Sequence, residues 1–239
     1  YIANSLTSGN YNTGVGAEVN IATLTGNNNT SVGAVAGRNL TEGASNTFVG
    51  RSAGQDTTTG DGNTAVGEGA DPNNQTGVNN TIVGYQAGAG AHGSSHSGNA
   101  FFGHRAGFTI TTGQANVALG QQSSQNITSG IRNTVVGNTA HYRNATGGYN
   151  VVIGYTAGRE HIGSNAVLIG NAAGYYATAS ANVFVGYHAG KGSDSEPYSS
   201  GGKNVGVGYE SQLNFTTGEY NTSVGHQSLR SNSTGVRNT

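Results

Sequence analysis

A nine-residue pattern, N-T-x-V-G-x-x-A-G, returns about every 17 residues along the whole chain. Self-similarity at a short, fixed period means that each repeat is one small structural unit that buries its apolar side against its neighbours. Residues 1–239 are therefore predicted to form a single array of about 13 coils, and the chain is expected to be a segment of a longer fibre. The central glycine of the pattern stands at Gly16, Gly33, Gly50, Gly67, Gly84, Gly103, Gly120, Gly137, Gly154, Gly170, Gly186, Gly208 and Gly225.

The composition excludes several classes of protein. Only 33% of the residues are hydrophobic and 9% are charged, well below the values of an ordinary globular domain. The strict period argues against disorder, and two prolines with no glycine at every third position exclude collagen. The net charge of −1 leaves no basic stripe for nucleic acid. The sequence contains no run of about 20 apolar residues, so membrane insertion of this segment is not predicted.

The residues before each central glycine predict a short strand with two apolar columns. The column directly before the glycine is dominated by β-branched residues such as Val32, Val49 and Val66, and it is predicted to be the internal core. The column one residue earlier then points to the opposite face and needs a partner chain to cover it. The predicted contact residues of a homotrimer are Phe48, Ile82, Phe101, Val135, Val152, Leu168 and Phe184.

Other columns predict how a coil closes. The alanines three residues after the central glycine, such as Ala53, suit a tight interior, and the glycines that follow them, such as Gly54, permit positive φ at a corner. The asparagine that opens nearly every repeat is predicted to stack on its equivalents and to form a ladder of side-chain hydrogen bonds. The fold class is thus all-β, a parallel β-solenoid. At about 4.8 Å per coil the array would be a rod of roughly 60 Å.

The repeated N-[TV]-x-[VIF]-G-x-x-A-G resembles the head repeats of YadA-like trimeric autotransporter adhesins and, equally, the repeat arrays of bacteriophage tail fibres. The resemblance covers essentially the whole chain. It implies a left-handed, trimeric parallel β-roll at a cell or virion surface. The repeats here are longer than those of the adhesin heads, and no membrane anchor, stalk or tail-fibre chaperone domain is visible, so the choice between adhesin and fibre stays open.

Candidate ligand-binding residues lie outside the predicted core. The column after the central glycine should point outward, and exposed tyrosines among polar side chains are typical of carbohydrate contact, although they can equally serve to cover the edges of the coils. Two inserted loops, residues 90–96 and 191–198, lengthen the repeat and are further candidates. The candidate residues are Tyr85, His104, Tyr155, Tyr187, Tyr209 and, in the second loop, Tyr198.

No catalytic site, metal site or cofactor is predicted. The chain has no cysteine and no G-x-S-x-G motif, and the histidines His92 and His96 lie in a glycine- and serine-rich loop without a complete ligand set. The sequence predicts an extracellular structural and attachment protein, the shaft or head of a trimeric surface fibre, with a phage tail fibre preferred. The alternatives are a cell-surface adhesin that binds glycans laterally, an extracellular filament subunit, and an ice-binding solenoid whose threonine ladder is interrupted.

Overall fold

The computed structural model describes residues 8–19 and 23–239, and these residues contain thirteen three-residue strands and no helix. The chain divides into two compact units, Tyr1–Asn116 and Val117–Thr239. The first unit holds β1 (Thr13–Val15), β2 (Thr30–Val32), β3 (Thr47–Val49), β4 (Thr64–Val66), β5 (Thr81–Val83) and β6 (Ala100–Phe102). The second holds β7 (Val117–Leu119), β8 (Thr134–Val136), β9 (Val151–Ile153), β10 (Val167–Ile169), β11 (Val183–Val185), β12 (Val205–Val207) and β13 (Thr222–Val224).

Within each unit, every strand pairs in parallel with the strand of the next repeat, in register. Thr47 lies beside Thr30 and Thr64, and the same register holds from β7 to β13 in the second unit. Two parallel strands about 17 residues apart can pair only if the chain makes a full turn between them. The predicted all-β parallel solenoid with a repeat of about 17 residues is confirmed for the described residues.

The structure reverses the predicted assignment of the two strand columns. In every strand the middle residue is buried, whereas the residue before the central glycine is half-buried or exposed. The prediction that the valine column forms the internal core is wrong. The seven residues assigned to a chain–chain contact instead fill the interior of their own chain, each with 0% exposure, and have no surface left for a partner: Phe48, Ile82, Phe101, Val135, Val152, Leu168 and Phe184.

A reciprocal fit of side-chain sizes explains why the middle strand residue points inward. A Cβ on Gly54 would overlap the ring of Phe48, so the ring occupies the space that a side chain at this corner would need. At Gly206, the smallest strand residue of the second unit, the corner carries a larger group, Gln212, whose Nε2 donates to the carbonyl of Val205 at 2.8 Å. Because interiors pack at near-crystalline density, one column can grow only where the other shrinks.

The corner conformation is shared by glycine and by its replacements. Gly54 has a φ of +56°, as predicted from its position, and Asp71 and His141 occupy equivalent corners at +50° and +52°. The alanine column three residues after the central glycine is also confirmed as interior, since Ala53 and Ala140 are fully buried. The turn therefore requires left-handed backbone, and a large strand residue such as Phe48 leaves room for glycine alone at its corner.

The central glycine of the pattern is required for a different reason. At Gly67 the backbone has a φ of +132°, and a Cβ there would lie 2.6 Å from the carbonyl oxygen of Gly84 in the next coil. Side chains essentially never approach backbone so closely, and residues other than glycine rarely adopt this conformation. The invariance of this position within the array follows from the close stacking of the coils.

The predicted asparagine ladder is present in both units. In the second unit, the Oδ1 of Asn133 accepts a hydrogen bond from the backbone amide of Asn150 at 3.1 Å, and from its Nδ2 at 3.0 Å. The Nδ2 of Asn133 donates to the carbonyl of Gly147 at 2.9 Å, which joins the start of its coil to the end. The ladder is interrupted at Ala166, whose amide still donates to Asn150 Oδ1 at 2.9 Å. Each asparagine thus closes one coil and links it to the next.

Asn133→Ala is expected to lower the free energy of unfolding by about 2 kcal/mol, because it leaves the buried amide of Asn150 and the carbonyl of Gly147 without their side-chain partners. Chemical denaturation measures the change. Asn138→Ala in the same coil is the control. The exposed Asn138 side chain donates to Gln121 Oε1 at 3.0 Å, on the surface of the array, and its loss should cost less than about 0.5 kcal/mol. Equal losses in the two variants would contradict a stabilising role for the ladder.

Candidate functional site

The outer face of the strands carries two side-chain columns in each unit. In the first unit the column that opens the strand is mainly threonine, for example Thr47 and Thr64, and the column that ends it is aliphatic or aromatic. The side chains that end the strands are partly open to solvent, with exposures of 37% at Val49, 38% at Phe102 and 37% at Ile153. Their spacing follows the register of the sheet, so each unit has a regular, partly apolar stripe at its surface.

The tyrosines after the central glycine are exposed, and most of them stack along the array. In the first unit Tyr85 stacks on His104 with ring centroids 5.4 Å apart. In the second, Tyr187 stacks on Tyr209 at 5.2 Å and Tyr209 on His226 at 5.2 Å, with planes within 9° of parallel. Such stacking covers ring faces and leaves the edges and hydroxyls at the surface. In most of this column, therefore, a ligand could contact the tyrosine hydroxyls and ring edges, whereas most ring faces are covered by a neighbouring ring.

Tyr155 differs from the other tyrosines of this column. It is 60% exposed, the highest value among Tyr85, Tyr155, Tyr187 and Tyr209. The adjoining repeats carry Asn138 and Asn171 at the equivalent position, so its ring face is not covered by an aromatic neighbour in that column. Of the predicted ligand-binding residues in the column, Tyr155 presents the freest ring.

The first inserted loop separates its two histidines. His92 is exposed and its Nδ1 lies 3.1 Å from Asp56 Oδ2. His96 is fully buried, with its Nε2 3.0 Å from Asp71 Oδ1, a contact whose angles do not make it a well-formed hydrogen bond. Among residues 8–19 and 23–239, no group of three or more His, Cys, Asp or Glu side chains is placed to hold a metal ion.

A pair of histidines is buried in the second unit. His141 and His161 are fully buried and stack with centroids 5.6 Å apart. Burial, reinforced by the charge of His161, holds the pKa of His141 well below its ordinary value. Burial lowers the pKa of His161 to about 4, although hydrogen bonds to the backbone of Ala177 and Gly163 oppose the shift. Both rings are neutral near pH 7 and belong to the core.

The second inserted loop stands over a cluster of charged and aromatic side chains. The carboxylate of Glu160 is 4% exposed and is held by two arginines, with Arg143 Nη1 at 2.9 Å and Arg159 Nη1 at 2.6 Å. Arg159 also donates to the hydroxyl of Tyr175 at 3.1 Å, and its guanidinium lies over the ring of Tyr142 at 5.2 Å. This cluster is not among the sites predicted from the sequence. A signal was present, because Arg143 and Glu160 have opposite charge and stand one repeat apart.

Tyr198 of the second loop belongs to the same surface. Its ring packs on Tyr176 at 5.1 Å, and Tyr176 packs on Tyr175 at 4.4 Å. Beside the loop is a cavity of about 480 Å³, lined by Tyr198, Pro197, Ile162 and the Arg143–Glu160 ion pair among others. Tyr198 is thus the one predicted ligand-binding residue that the described structure places at this concave site.

No match is found when the chain is compared with protein-family profiles, with curated proteins and with solved structures. In the part of the chain that the structure describes, no helix has the length and apolar character needed to cross a membrane. The surface geometry of the two units is therefore the basis for inferring a function.

Proposed function

We propose that this chain is a structural and attachment protein, the shaft or head of a trimeric, left-handed surface fibre. The observation that carries the proposal is the half-exposed aliphatic stripe on the outer face of each unit, which includes Val49 and Ile153. Extended apolar patches are rare on monomeric soluble proteins and mark association surfaces. A second copy of the same array has the same spacing between side chains, which makes it the natural partner.

A virion or cell surface is the proposed location, as the resemblance of the repeats implies. The phage tail fibre is preferred because the array is long, is interrupted by only two inserted loops in the sequence, and carries a net charge of only −1. A role as an enzyme is not part of the proposal, since an array of nearly identical coils offers little of the asymmetric side-chain grouping that catalysis needs. The stripe, rather than the buried Phe48 column, is the proposed contact between chains.

The mass of the purified chain in solution, measured by light scattering, tests the proposal. The expected mass is near three times the 24.0 kDa of one chain. Val49→Asp combined with Ile153→Asp should reduce it to one chain, because desolvating these carboxylates at a contact costs far more than leaving them in water. Tyr155→Asp, in the same coil as Ile153 but off the strand, is the control and should keep the parent mass. A monomeric parent protein would refute the trimer.

A second candidate is an adhesin that binds glycans through its lateral surface. The observation in its favour is the exposure of Tyr155 and of the stacked tyrosines Tyr85, Tyr187 and Tyr209. Tyrosine offers rigid, amphipathic contact area at low entropic cost. Replacement of Tyr155 and Tyr187 by alanine should leave the surface binding of a passive shaft unchanged and should weaken that of a lateral glycan binder.

A further inference from the structure

The second inserted loop is anchored so that its outer residues keep a defined place. Ser199, at the end of the loop, is fully buried, and its Oγ donates to the carbonyl of Phe215 at 2.6 Å. The same Oγ accepts a hydrogen bond from the amide of Ser193 at 2.8 Å, which closes the base of the loop. An insertion tied down in this way adds a fixed wall to the surface beside it.

The cavity beside this loop draws its lining from four successive repeats. Arg143, Glu160 and Thr178 each come from a different coil, and Tyr198 comes from the loop of the next one. The volume of about 480 Å³ falls within the range of small-molecule sites, which is about 300–1,000 Å³. Regular repeats present the same surface coil after coil, so the loop is what makes this place concave.

The floor of the cavity is organised before any ligand arrives. Both carboxylate oxygens of Glu160 are held by guanidinium groups, and Arg159 is held in turn by its contacts with Tyr142 and Tyr175. The Arg143 side chain is 56% exposed and uses one nitrogen for Glu160. Its remaining N–H groups can donate to a ligand in a fixed direction.

Part of the cavity lining is apolar or aromatic, namely Ile162, Pro197 and Tyr198. Ile162 is 57% exposed, and Pro197 stands exposed beside it. The ring of Tyr198 packs against the ring of Tyr176, which limits its movement. A supported aromatic ring next to aliphatic carbon suits a ligand with a C–H face.

The charges around the cavity nearly cancel. Arg143 and Arg159 stand against Glu160 and Glu196, so a strongly charged ligand gains little from the net field. A fitting ligand has an apolar face for Tyr198 and Ile162, and several hydroxyls for Arg143 and Thr178. We infer that this cavity is a binding site for a neutral saccharide, with Tyr198 as the stacking platform and Arg143 as the principal hydrogen-bond donor. The inference rests on the proposed attachment function and gives it a ligand class.

Binding of neutral trisaccharides of glucose, galactose and mannose to the full chain tests the site, by saturation-transfer NMR and titration calorimetry. Sialyllactose is the charged comparison. At least one neutral trisaccharide is expected to bind with a Kd of about 1 mM or tighter. Tyr198→Ala should weaken that binding about three- to tenfold, whereas Tyr198→Phe should keep most of it because the ring remains. Arg143→Ala should weaken it about tenfold or more.

The control is Tyr220→Ala, which removes a 43% exposed tyrosine that does not line the cavity and should leave the binding constant unchanged. Three results would overturn the site: no neutral trisaccharide binds at about 10 mM, only sialyllactose binds, or Tyr220→Ala weakens binding as much as Tyr198→Ala. Denaturation curves establish that each variant is folded. If Arg143→Ala is unstable, the Tyr198 variants alone still test the site. The trimer is measured separately by light scattering, so failure of the site and failure of the fibre proposal give different results.

Discussion

Phe101→Ala is expected to lower the free energy of unfolding by about 3–5 kcal/mol, whereas Phe102→Ala should lower it by less than about 1.5 kcal/mol. The two phenylalanines are neighbours in β6 and point to opposite faces, with exposures of 0% and 38%. Truncation of Phe101 removes a buried ring that fits against Gly107 and leaves a cavity. Truncation of Phe102 removes a side chain that water already reaches.

Urea denaturation of the two variants, under conditions where the protein is monomeric, measures this difference. The pair is matched in residue type, strand and size of change, so only the face of the strand differs. Greater destabilisation by Phe102→Ala than by Phe101→Ala would restore the column assignment predicted from the sequence. Under conditions of self-association, Phe102→Ala should also weaken the assembly, because its side chain ends a strand on the stripe proposed as the chain contact.

Acidification from pH 6.5 to pH 4 is expected to remove about 3 kcal/mol of stability through His161 alone, with a further loss through His141. The pKa of His161 falls from an ordinary 6.5 to about 4 in the folded protein, and that of His141 is also lowered well below 6.5. Below pH 6.5, His141 and His161 bind protons in the unfolded chain but stay neutral in the folded chain. Acid therefore favours unfolding. The stabilising contribution is complete above pH 6.5 and is lost as the pH falls through the folded pKa values.

Denaturation curves at about pH 7.5, 6.5, 5 and 4 give the slope of stability against pH. The double variant His141→Gln, His161→Asn uses residues that the array itself places at equivalent positions, Gln212 and Asn144. In the double variant, the free energy of unfolding should depend less steeply on pH between pH 6.5 and pH 4. The other titratable groups contribute equally to the parent protein and to the variant, so the difference reports on the buried pair. An unchanged slope in the double variant would show that the buried pair is not the source.

The sizes of the strand residues carry a signal, already present in the sequence, for which strand face is interior. Residues in the middle of the strands range from Gly206 to Phe184, and the corner six residues later varies in the opposite sense, as at Gln212 and Gly190. Compensation of this kind is expected between side chains that share one closed interior. The valine column shows no such compensation, which is typical of a surface where neighbouring volume is not limited.

The sequence by itself determined the period, the position of every strand, the buried alanine column, the left-handed corner and the asparagine ladder. These features depend on spacing and on local backbone conformation, which repeat from coil to coil. The apolar pattern and strand alternation did not decide which strand face is interior, because both columns are apolar and alternation is symmetric between the two faces. The tertiary structure decided it, and in the sequence only the size compensation between strand and corner pointed to the same answer. Only the tertiary structure brought Arg143, Glu160 and Tyr198 to one cavity, since the stacking of coils makes neighbours of residues that lie far apart in the chain.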